Sequence, residues 1–284
     1  MPELPEVETV VRKLRAANLL GKTIQHAIVY SQSTIANPNS AQFISQIQGQ
    51  DFKAIERRGK FIVITLGQQT LLIHLRMTGK LFASHEENLS SSQNAIHPHE
   101  RVRLCFSDGQ ILHYEDQRKF GRWSLVKDPR QILDGLGVEP LSKSFDLSYL
   151  KAGLHRRQTT IKALLLNQKF IAGLGNIYVD EALWLAQVHP MRLASELNSL
   201  EIEALHYAIV KVLEVGISNQ GTTLGNHRSN YTSLNNEKGR HQSSLNVFRR
   251  EGLPCPRCDT VIAKIRVAQR GTHFCPFCQK LGGK

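Results

Sequence analysis

The sequence predicts an α+β fold, in which one helix and a block of short strands precede a helical region and a cysteine-rich end. Three observations lead to this prediction. Apolar residues near the start recur with helical spacing, short β-rich segments follow as far as residue 126, and amphipathic segments occupy much of 147–218. A block of strands followed by a block of helices is typical of α+β architecture.

The first element is a helix over residues 2–18. Val7, Val10, Val11 and Leu14 follow the i, i+3, i+4, i+7 spacing of one buried helical face. Pro5 suits the first turn, because a backbone N–H has no intrahelical partner there.

Seven β-rich segments follow and predict a β-sandwich or a barrel. They cover residues 23–30, 52–57, 61–66, 70–75, 101–106, 110–115 and 122–126. Ser107-Asp108-Gly109 suits a hairpin turn between two of them, and the polar segment 85–98 predicts a loop.

The second half is predicted to be helical and then cysteine-rich. Helices are expected at roughly 147–152, 159–168, 178–187 and 199–218, and a polar Asn/Ser/Gly-rich segment follows at 219–245. We therefore expect an N-terminal domain over 1–134, a linker over 135–146, a second domain over 147–245 and a finger over 246–284.

The charge of the chain indicates a polyanionic partner, either nucleic acid or an anionic membrane. The 284 residues carry 36 basic and 24 acidic side chains, and residues 151–284 hold 18 of the basic but only 9 of the acidic ones. No apolar run approaches the roughly 18 residues of a membrane span. The acidic start lacks the basic residues of a secretion signal. We expect a cytoplasmic protein with reduced cysteines and no membrane partner.

Four cysteines form a metal-binding pattern. Cys255, Cys258, Cys275 and Cys278 follow a C-x2-C-x16-C-x2-C spacing, which lets two turns supply four thiolates to one Zn²⁺. Four protein ligands leave no open position for water, so the zinc is expected to be structural. Cys105 stands alone in a predicted strand and is interpreted as a buried small residue.

The N-terminus combines a potential nucleophile with two carboxylates. Removal of Met1 would leave Pro2 with a secondary α-amine, and an α-amine titrates near a pH of about 8. Its attack on a sugar C1′ would give a cationic iminium, an electron sink of the kind that lysine Schiff bases provide. Glu3 and Glu6 lie one turn apart and could act as acid or base. Taken alone, the segment is equally a helix start rich in proline and glutamate.

Seven motifs occur together in one order, and they carry a family resemblance. They are PELPEVE at 2–8, RRGK at 57–60, HLRMTGK at 74–80, DQRKFG at 116–121, GLGNIYVDE at 173–181, QGTTL at 220–224 and the four cysteines. Over nearly its whole length the chain resembles the Fpg/Nei family of formamidopyrimidine-DNA glycosylases. The resemblance implies an N-terminal helix and β-sandwich, and a helix-two-turns-helix domain with a zinc-finger β-hairpin.

The resemblance also implies an activity. Members excise oxidised purines such as 8-oxoguanine and formamidopyrimidines from double-stranded DNA in base excision repair, and they cleave the resulting abasic site by β,δ-elimination. Pro2 then corresponds to the nucleophile, Glu3 to the acid that protonates the deoxyribose ring oxygen, and Glu6 to a second carboxylate. Lys60 corresponds to the lysine linked to β-elimination. Arg270 corresponds to the arginine that grips the phosphates flanking the lesion and assists δ-elimination.

Further residues match DNA-contacting positions of the family. A glycosylase must take its base out of the stack, and Met77, Arg118 and Phe120 match the side chains that fill the void. Arg118 and Phe120 are two residues apart, so on a strand they would share a face. Thr222 and Thr223 match the loop that closes over the everted purine. Other DNA contacts are expected at His74, His99, Arg157, Lys162 and Asn176.

Two alternatives are weighed beside this interpretation. An oxidised-pyrimidine (Nei-type) glycosylase is disfavoured by the start PELPE and by the length of the loop after Gly216. A non-catalytic zinc-finger nucleic-acid-binding protein explains the charge and the cysteines, but not PELPE or the void-filling trio. The chemistry requires no second subunit, so we expect a monomer that associates with the bacterial nucleoid by binding DNA.

Overall fold

The computed structural model describes residues 1–85, 97–222 and 239–282, and these form two compact units. The first unit contains Met1–Asp134 and Asn219–Arg240. The second contains Gly135–Ser218 and His241–Lys284. Within the described residues, no helix is both long and apolar enough to cross a membrane.

The first unit begins with the predicted helix, which runs as α1 over Leu4–Ala16. Glu3 is its N-cap, and the carboxylate of Glu6 accepts a hydrogen bond from the Glu3 N–H at 2.8 Å. Glu3 and Glu6 form a capping box, which satisfies backbone donors at a helix start. Leu4, Val7, Val11 and Leu14 are at most 1% exposed, so the apolar face of α1 is buried.

Two β-sheets complete the first unit and confirm the predicted sandwich. One sheet has the order β1-β7-β8-β6 and the other has the order β2-β9-β5-β4-β3. All pairs are antiparallel except β2 with β9. One apolar core joins α1 to both sheets. The strands are β1 Ile24–Val29, β2 Ile35–Asn37, β3 Ala54–Arg58, β4 Phe61–Thr65, β5 Thr70–His74, β6 Gly79–His85, β7 Glu100–Phe106, β8 Gln110–Asp116 and β9 Arg122–Val126.

The sequence prediction lacks β2, the helix α2 over Ser40–Ile47 and β6. The β6 sequence GKLFASH has no β-branched residue, yet it pairs with β8 along its whole length. Tertiary pairing overrides a weak strand propensity here. A short helix, α3 over Arg130–Leu133, ends the continuous part of the unit.

Four helices form the body of the second unit. They are α4 Leu147–Leu154, α5 Ile161–Leu166, α6 Asn176–Leu185 and α7 Ser199–Ser218. Helix α6 starts two residues before the predicted start at 178, because Gly175 serves as its N-cap in an extended conformation. Gly216 of α7 lies against Tyr178 of α6, where a Cβ would come within 2.5 Å of the ring.

The cysteine-rich end contains a β-hairpin, as the predicted zinc finger requires. Strands β10 over Ala263–Val267 and β11 over Arg270–Phe274 pair in antiparallel register. The two turn residues, Ala268 and Gln269, both have positive φ, at 49° and 60°. Positive φ at both central positions is the requirement of a type I′ hairpin turn, and the turn brings Arg270 to the start of β11.

Candidate active site and DNA-contacting residues

The N-terminal proline and the two carboxylates lie together and are buried. Pro2 is buried, and Glu3 and Glu6 are 3% and 2% exposed. Met1 still precedes Pro2 in the structure and is 39% exposed. One oxygen of Glu6 accepts the Glu3 N–H at 2.8 Å, and the other accepts the Thr222 N–H, also at 2.8 Å. A single carboxylate therefore connects the residue after Pro2 to the 219–222 segment.

Thr222 is 3% exposed, and its hydroxyl is buried without a hydrogen-bond partner among the described residues. The preceding Gly221 has a φ of 75° and packs on Glu6, where a Cβ would come within 2.9 Å of the Glu6 side chain. Because Gly221 has no side chain, this segment can pack directly against Glu6 of α1. Thr223 lies outside the described residues.

Lys60 lies in the two-residue turn between β3 and β4, next to Gly59, which has a φ of 56°. Its side chain is buried, with 5% of the residue exposed. A lysine this buried is not a solvated surface charge, and its ammonium group requires compensating partners within the fold.

His74 ends β5, and its environment keeps it uncharged. Burial, followed by the charges of Arg76 and Lys60, lowers the pKa of His74 to about 3. Its Nδ1 accepts the Arg76 N–H at 3.0 Å, so in the neutral ring the hydrogen resides on Nε2. His74 can therefore offer DNA a neutral N–H donor, but not a positive charge.

The three predicted void-filling residues lie on two turns. Met77 is half-buried in the turn between β5 and β6, and Arg118 and Phe120 are exposed in the turn between β8 and β9. The expectation that Arg118 and Phe120 lie on a strand is wrong, because β8 ends at Asp116 and Lys119 has a φ of 57°. The turn still brings them together: the Arg118 guanidinium lies 4.6 Å from the centroid of the Phe120 ring.

A buried carboxylate that the sequence analysis did not single out joins these two turns. Asp116 is 1% exposed and accepts the Gly121 N–H at 2.7 Å and the Arg118 N–H at 3.2 Å. It also accepts the hydroxyl of Thr78, and that hydroxyl accepts the Arg118 N–H at 3.1 Å. The signal available in the sequence was its place as the first residue of the motif DQRKFG.

His99 lies just before β7 and is half-buried. Its carbonyl accepts the Asp116 N–H at 2.8 Å, and its ring packs edge-on against that of His97 at 5.6 Å. The structure thus attaches His99 to the same residue that joins the two turns.

The second unit contains three of the predicted DNA-contacting residues, Asn176, Arg157 and Arg270. Asn176 is the first residue of α6, where backbone N–H groups and the helix dipole favour anions. Its Nδ2 donates to the Gly271 carbonyl at 2.8 Å, while its Oδ1 has no partner among the described residues. Arg157 is exposed between α4 and α5, and Arg270 is exposed at the start of β11.

Lys162 differs from the expectation of a direct DNA contact, because its side chain is fully buried. Its ammonium group pairs with Asp180 at 2.5 Å and lies 3.5 Å from the Gly271 carbonyl. Asp180 also accepts the His273 N–H at 2.9 Å. The pair thus anchors β11 to α6, and any contribution of Lys162 to DNA binding is indirect.

Glu181 is a second buried carboxylate that the sequence analysis passed over. It is 2% exposed and accepts the N–H groups of Asn246, Val247 and Phe248 at 2.9 Å each. It therefore fixes the segment that leads into the cysteine-rich finger. A sequence signal existed, since Asp180 and Glu181 interrupt an otherwise apolar helix.

The four predicted cysteine ligands converge. Their sulfur atoms all lie within 4.8 Å of one another, and the Cys258–Cys275 and Cys255–Cys278 pairs are 3.5 Å and 4.0 Å apart. Zn–S bonds of roughly 2.3 Å in a tetrahedron place sulfur atoms about 3.8 Å apart, so the set fits one zinc ion.

The two turns that carry the cysteines match each other. Asp259 N–H donates to the Cys255 carbonyl and Gln279 N–H to the Cys275 carbonyl, both at 2.9 Å. The indole N–H of Trp184 lies 3.4 Å from the Cys255 sulfur and supports a thiolate there. The site is a structural zinc site, because its four cysteines complete the coordination shell.

Comparison with known protein families covers most of the chain. Residues 1–123 match the formamidopyrimidine-DNA glycosylase N-terminal domain, residues 136–227 match the formamidopyrimidine-DNA glycosylase H2TH domain, and residues 252–281 match the zinc finger found in FPG and IleRS.

Individual relatives are similar to this chain over nearly the full length of both proteins. The formamidopyrimidine-DNA glycosylase of Protochlamydia amoebophila is 46% identical over 281 residues, which cover 99% of this chain and 100% of the relative. A mutant Lactococcus lactis FPG bound to Fapy-dG-containing DNA is 34% identical, with a TM-score of 0.87 and coverage of 98% and 100%. MutM bound to DNA containing carbocyclic 8-oxo-G is 37% identical, with a TM-score of 0.87 and the same coverage. This chain belongs to the formamidopyrimidine-DNA glycosylase family.

Proposed function

We propose that this chain excises oxidised purines from double-stranded DNA through a Schiff base on Pro2, and then cleaves the strand at the abasic site. Membership of the family makes it a formamidopyrimidine-DNA glycosylase of base excision repair. Solved relatives hold DNA with Fapy-dG and with carbocyclic 8-oxo-G, which supports the same lesions as substrates here. The observation that carries the chemistry is the burial of Pro2 beside Glu3 and Glu6.

In the first step, the amine of Pro2 forms a bond to C1′ while the bond from C1′ to the damaged base breaks. The base leaves with a proton, and the proline nitrogen loses its own hydrogen. Glu3 protonates the ring oxygen as the sugar opens, which leaves a cationic iminium between Pro2 and C1′. Glu6 holds the Glu3 backbone N–H at 2.8 Å and so fixes the start of the helix during this step.

In the second step, the iminium draws electrons from the neighbouring C–H bond. Loss of a C2′ proton expels the 3′ phosphate, and a later proton loss expels the 5′ phosphate. Lys60 is proposed to assist the first elimination through its buried amine. Arg270 is proposed to hold the flanking phosphates, because a fixed guanidinium stabilises phosphate oxygens by charge-assisted hydrogen bonds.

Access to C1′ requires that the base leave the helix. Met77, Arg118 and Phe120 are proposed to fill the space left behind: Phe120 as an apolar wedge, Arg118 as a donor to the orphaned cytosine and Met77 as a flexible plug. His74, His99, Arg157 and Asn176 are proposed to contact the DNA backbone. Thr222 and Thr223 are proposed to belong to the loop that covers the everted purine.

The regions of the chain are proposed to divide this work. Residues 1–134 provide the nucleophile, the acid and the void-filling side chains, and residues 135–146 link them to the rest. Residues 147–245 supply phosphate-binding side chains and the loop that covers the everted purine, and the finger at 246–284 supplies Arg270. The zinc ion would be held by Cys255, Cys258, Cys275 and Cys278 and would supply rigidity to the hairpin rather than chemistry.

We further propose that the protein acts as a monomer in the cytoplasm and associates with the nucleoid through DNA. The residues assigned to the chemistry come from one chain. The net charge of +12 favours association with a polyanion.

Substitution of the nucleophile tests the proposal. Pro2→Gly should lower excision of 8-oxoguanine opposite cytosine by about a hundredfold, because the flexible primary amine of glycine replaces a secondary amine that the proline ring holds in place. Binding to a duplex with a tetrahydrofuran abasic analogue should stay within about twofold, since that analogue needs no attack. Equal loss of excision and binding would contradict the role of Pro2. Excision of oxidised pyrimidines in preference to 8-oxoguanine by the wild type would instead favour a Nei-type enzyme.

A further inference from the structure

The turn between β5 and β6 and the turn between β8 and β9 rest on one buried polar platform. Asp116 is its centre, with one carboxylate oxygen shared by Thr78 and the Arg118 N–H and the other bound to the Gly121 N–H. Thr78 follows Met77 directly in the chain. A single carboxylate thus holds the residue beside Met77 and the backbone on both sides of Phe120.

Tyr114 closes the platform from below. Its hydroxyl donates to Asp116 at 3.4 Å, and burial, together with the charge of Asp116, raises the pKa of Tyr114, so the donor is retained. Gly79 and Gly121 end the two turns. A Cβ on Gly79 would come within 2.6 Å of this hydroxyl, and a Cβ on Gly121 within 1.6 Å. Both turns are therefore packed against one fixed point, with no room for a larger residue.

The backbone of Asp116 extends the same connection. Its N–H donates to the His99 carbonyl at 2.8 Å, and its carbonyl accepts from Arg101 Nε at 2.8 Å. Four of the proposed DNA-facing residues, Met77, His99, Arg118 and Phe120, are therefore bound to Asp116 or adjacent to a residue that is. Burial of a carboxylate carries a desolvation cost, and the hydrogen bonds to Asp116 compensate for it.

We propose that Asp116 is a positioning residue for base eversion: it locks the Met77 turn to the Arg118–Phe120 turn, so that all three side chains enter the duplex as one preformed unit. This inference rests on the proposed function of the trio. Asp116 does not touch the reacting atoms. Its loss should therefore impair the steps in which the duplex is opened and leave the chemistry at C1′ intact.

The test uses Asp116→Asn, which keeps the shape but replaces one acceptor oxygen by an amide group. Asp128→Asn is the matched control, since Asp128 lies at the surface and pairs with Arg130. Single-turnover excision of 8-oxoguanine from a duplex should fall by about tenfold or more in Asp116→Asn and stay unchanged in the control. Borohydride trapping on a single-stranded abasic oligonucleotide, which has no void to fill, should stay within about twofold of the wild type in both.

A second measurement detects insertion of the proposed void-filling side chains into the duplex. With 2-aminopurine beside a tetrahydrofuran analogue, insertion of the side chains unstacks the reporter and raises its fluorescence. Asp116→Asn should give a smaller rise at saturating protein, and excision opposite cytosine should lose part of its advantage over excision opposite adenine. If Asp116 contributed only to general stability, the fluorescence rise at saturating protein and the preference for cytosine over adenine would both stay unchanged.

Thr78→Val provides a second variant if Asp116→Asn does not fold, because it breaks the link between the turns and leaves the bonds of Asp116 to Arg118 and Gly121 in place. Wild-type duplex excision in both variants would overturn the inference, as would equal loss of duplex excision and single-strand trapping. Failure of the wild type itself to trap the abasic oligonucleotide would overturn the proposed function, and this inference with it.

Discussion

Glu6 holds two segments of the chain together at the proposed active site. Its two carboxylate oxygens accept separate backbone N–H groups, one from Glu3 next to the proposed nucleophile and one from Thr222. Both bonds need an acceptor, and burial leaves no water to replace either of them.

Glu6→Gln should therefore be damaging despite its similar shape, because its amide group must face one of the two N–H donors. We expect the free energy of unfolding to fall by about 1–3 kcal/mol and excision to slow by about tenfold or more. Urea unfolding and single-turnover excision measure the two effects. Glu203→Gln, at an exposed position of α7, is the matched control. Wild-type stability and rate in Glu6→Gln would disprove this role of Glu6.

His74 should make the stability of the protein depend on pH. Its pKa is about 3 in the folded protein and 6.5 in its ordinary state, so below pH 6.5 the unfolded chain binds a proton that the folded one does not. Stability contributed by the neutral ring is therefore present above pH 6.5 and is lost as the pH falls towards 3.

Between pH values of about 7.5 and 5.5, this single histidine should cost about 1 kcal/mol of unfolding free energy. Urea unfolding at the two pH values measures the loss. His74→Gln should remove that part of the dependence, whereas His26→Gln, at an exposed position, should retain it. An identical pH dependence in wild type and His74→Gln would show that the ring is not held neutral.

At the scale of elements, the α6–β11 connection explains where Arg270 is held. Lys162 and Asp180 are buried, and Asp180 binds the His273 N–H of β11. Asn176 at the start of α6 binds the Gly271 carbonyl beside Arg270. The helix whose N-terminus is proposed to bind phosphate is thereby joined to the hairpin that carries the exposed Arg270.

Two substitutions distinguish the anchoring role of Lys162 from the proposed phosphate contact of Arg270. Arg270→Gln should reduce the slope of log affinity against log salt by about 0.9, because one positive charge that faces the phosphates is lost. Lys162→Met should leave that slope unchanged and lower the free energy of unfolding by about 3 kcal/mol, since Asp180 loses its cation in the interior. DNA-binding titrations at several salt concentrations and urea unfolding provide the measurements. An equal change in slope for both would contradict the anchoring role of Lys162.

The elements also show how far the sequence alone reaches. Periodicity predicts α1 and α7 well, because each has one continuous apolar face. It misses β6, whose pairing with β8 is a long-range contact that no local pattern encodes. It also misses Asp116 and Glu181, because a buried carboxylate is recognised only by the backbone N–H groups that surround it in the fold.

At the scale of the whole molecule, two units share the proposed work. The unit of residues 1–134 and 219–240 contains Pro2, both carboxylates and the two turns with the proposed void-filling residues, and the other contains Asn176, Arg270 and the zinc site. The family motifs identify the candidate site residues in both units. The sequence could not predict that residues 219–222 return to the first unit, since the bond from Thr222 to Glu6 spans most of the chain.

The measurement that tests the central claim most directly is borohydride trapping on a duplex with 8-oxoguanine opposite cytosine, followed by mass mapping of the adduct. We predict a single covalent adduct on the α-nitrogen of Pro2, in a chain from which Met1 has been removed. An adduct on a lysine such as Lys60 would contradict the role of Pro2. No adduct on this duplex or on an abasic one would contradict the iminium mechanism itself.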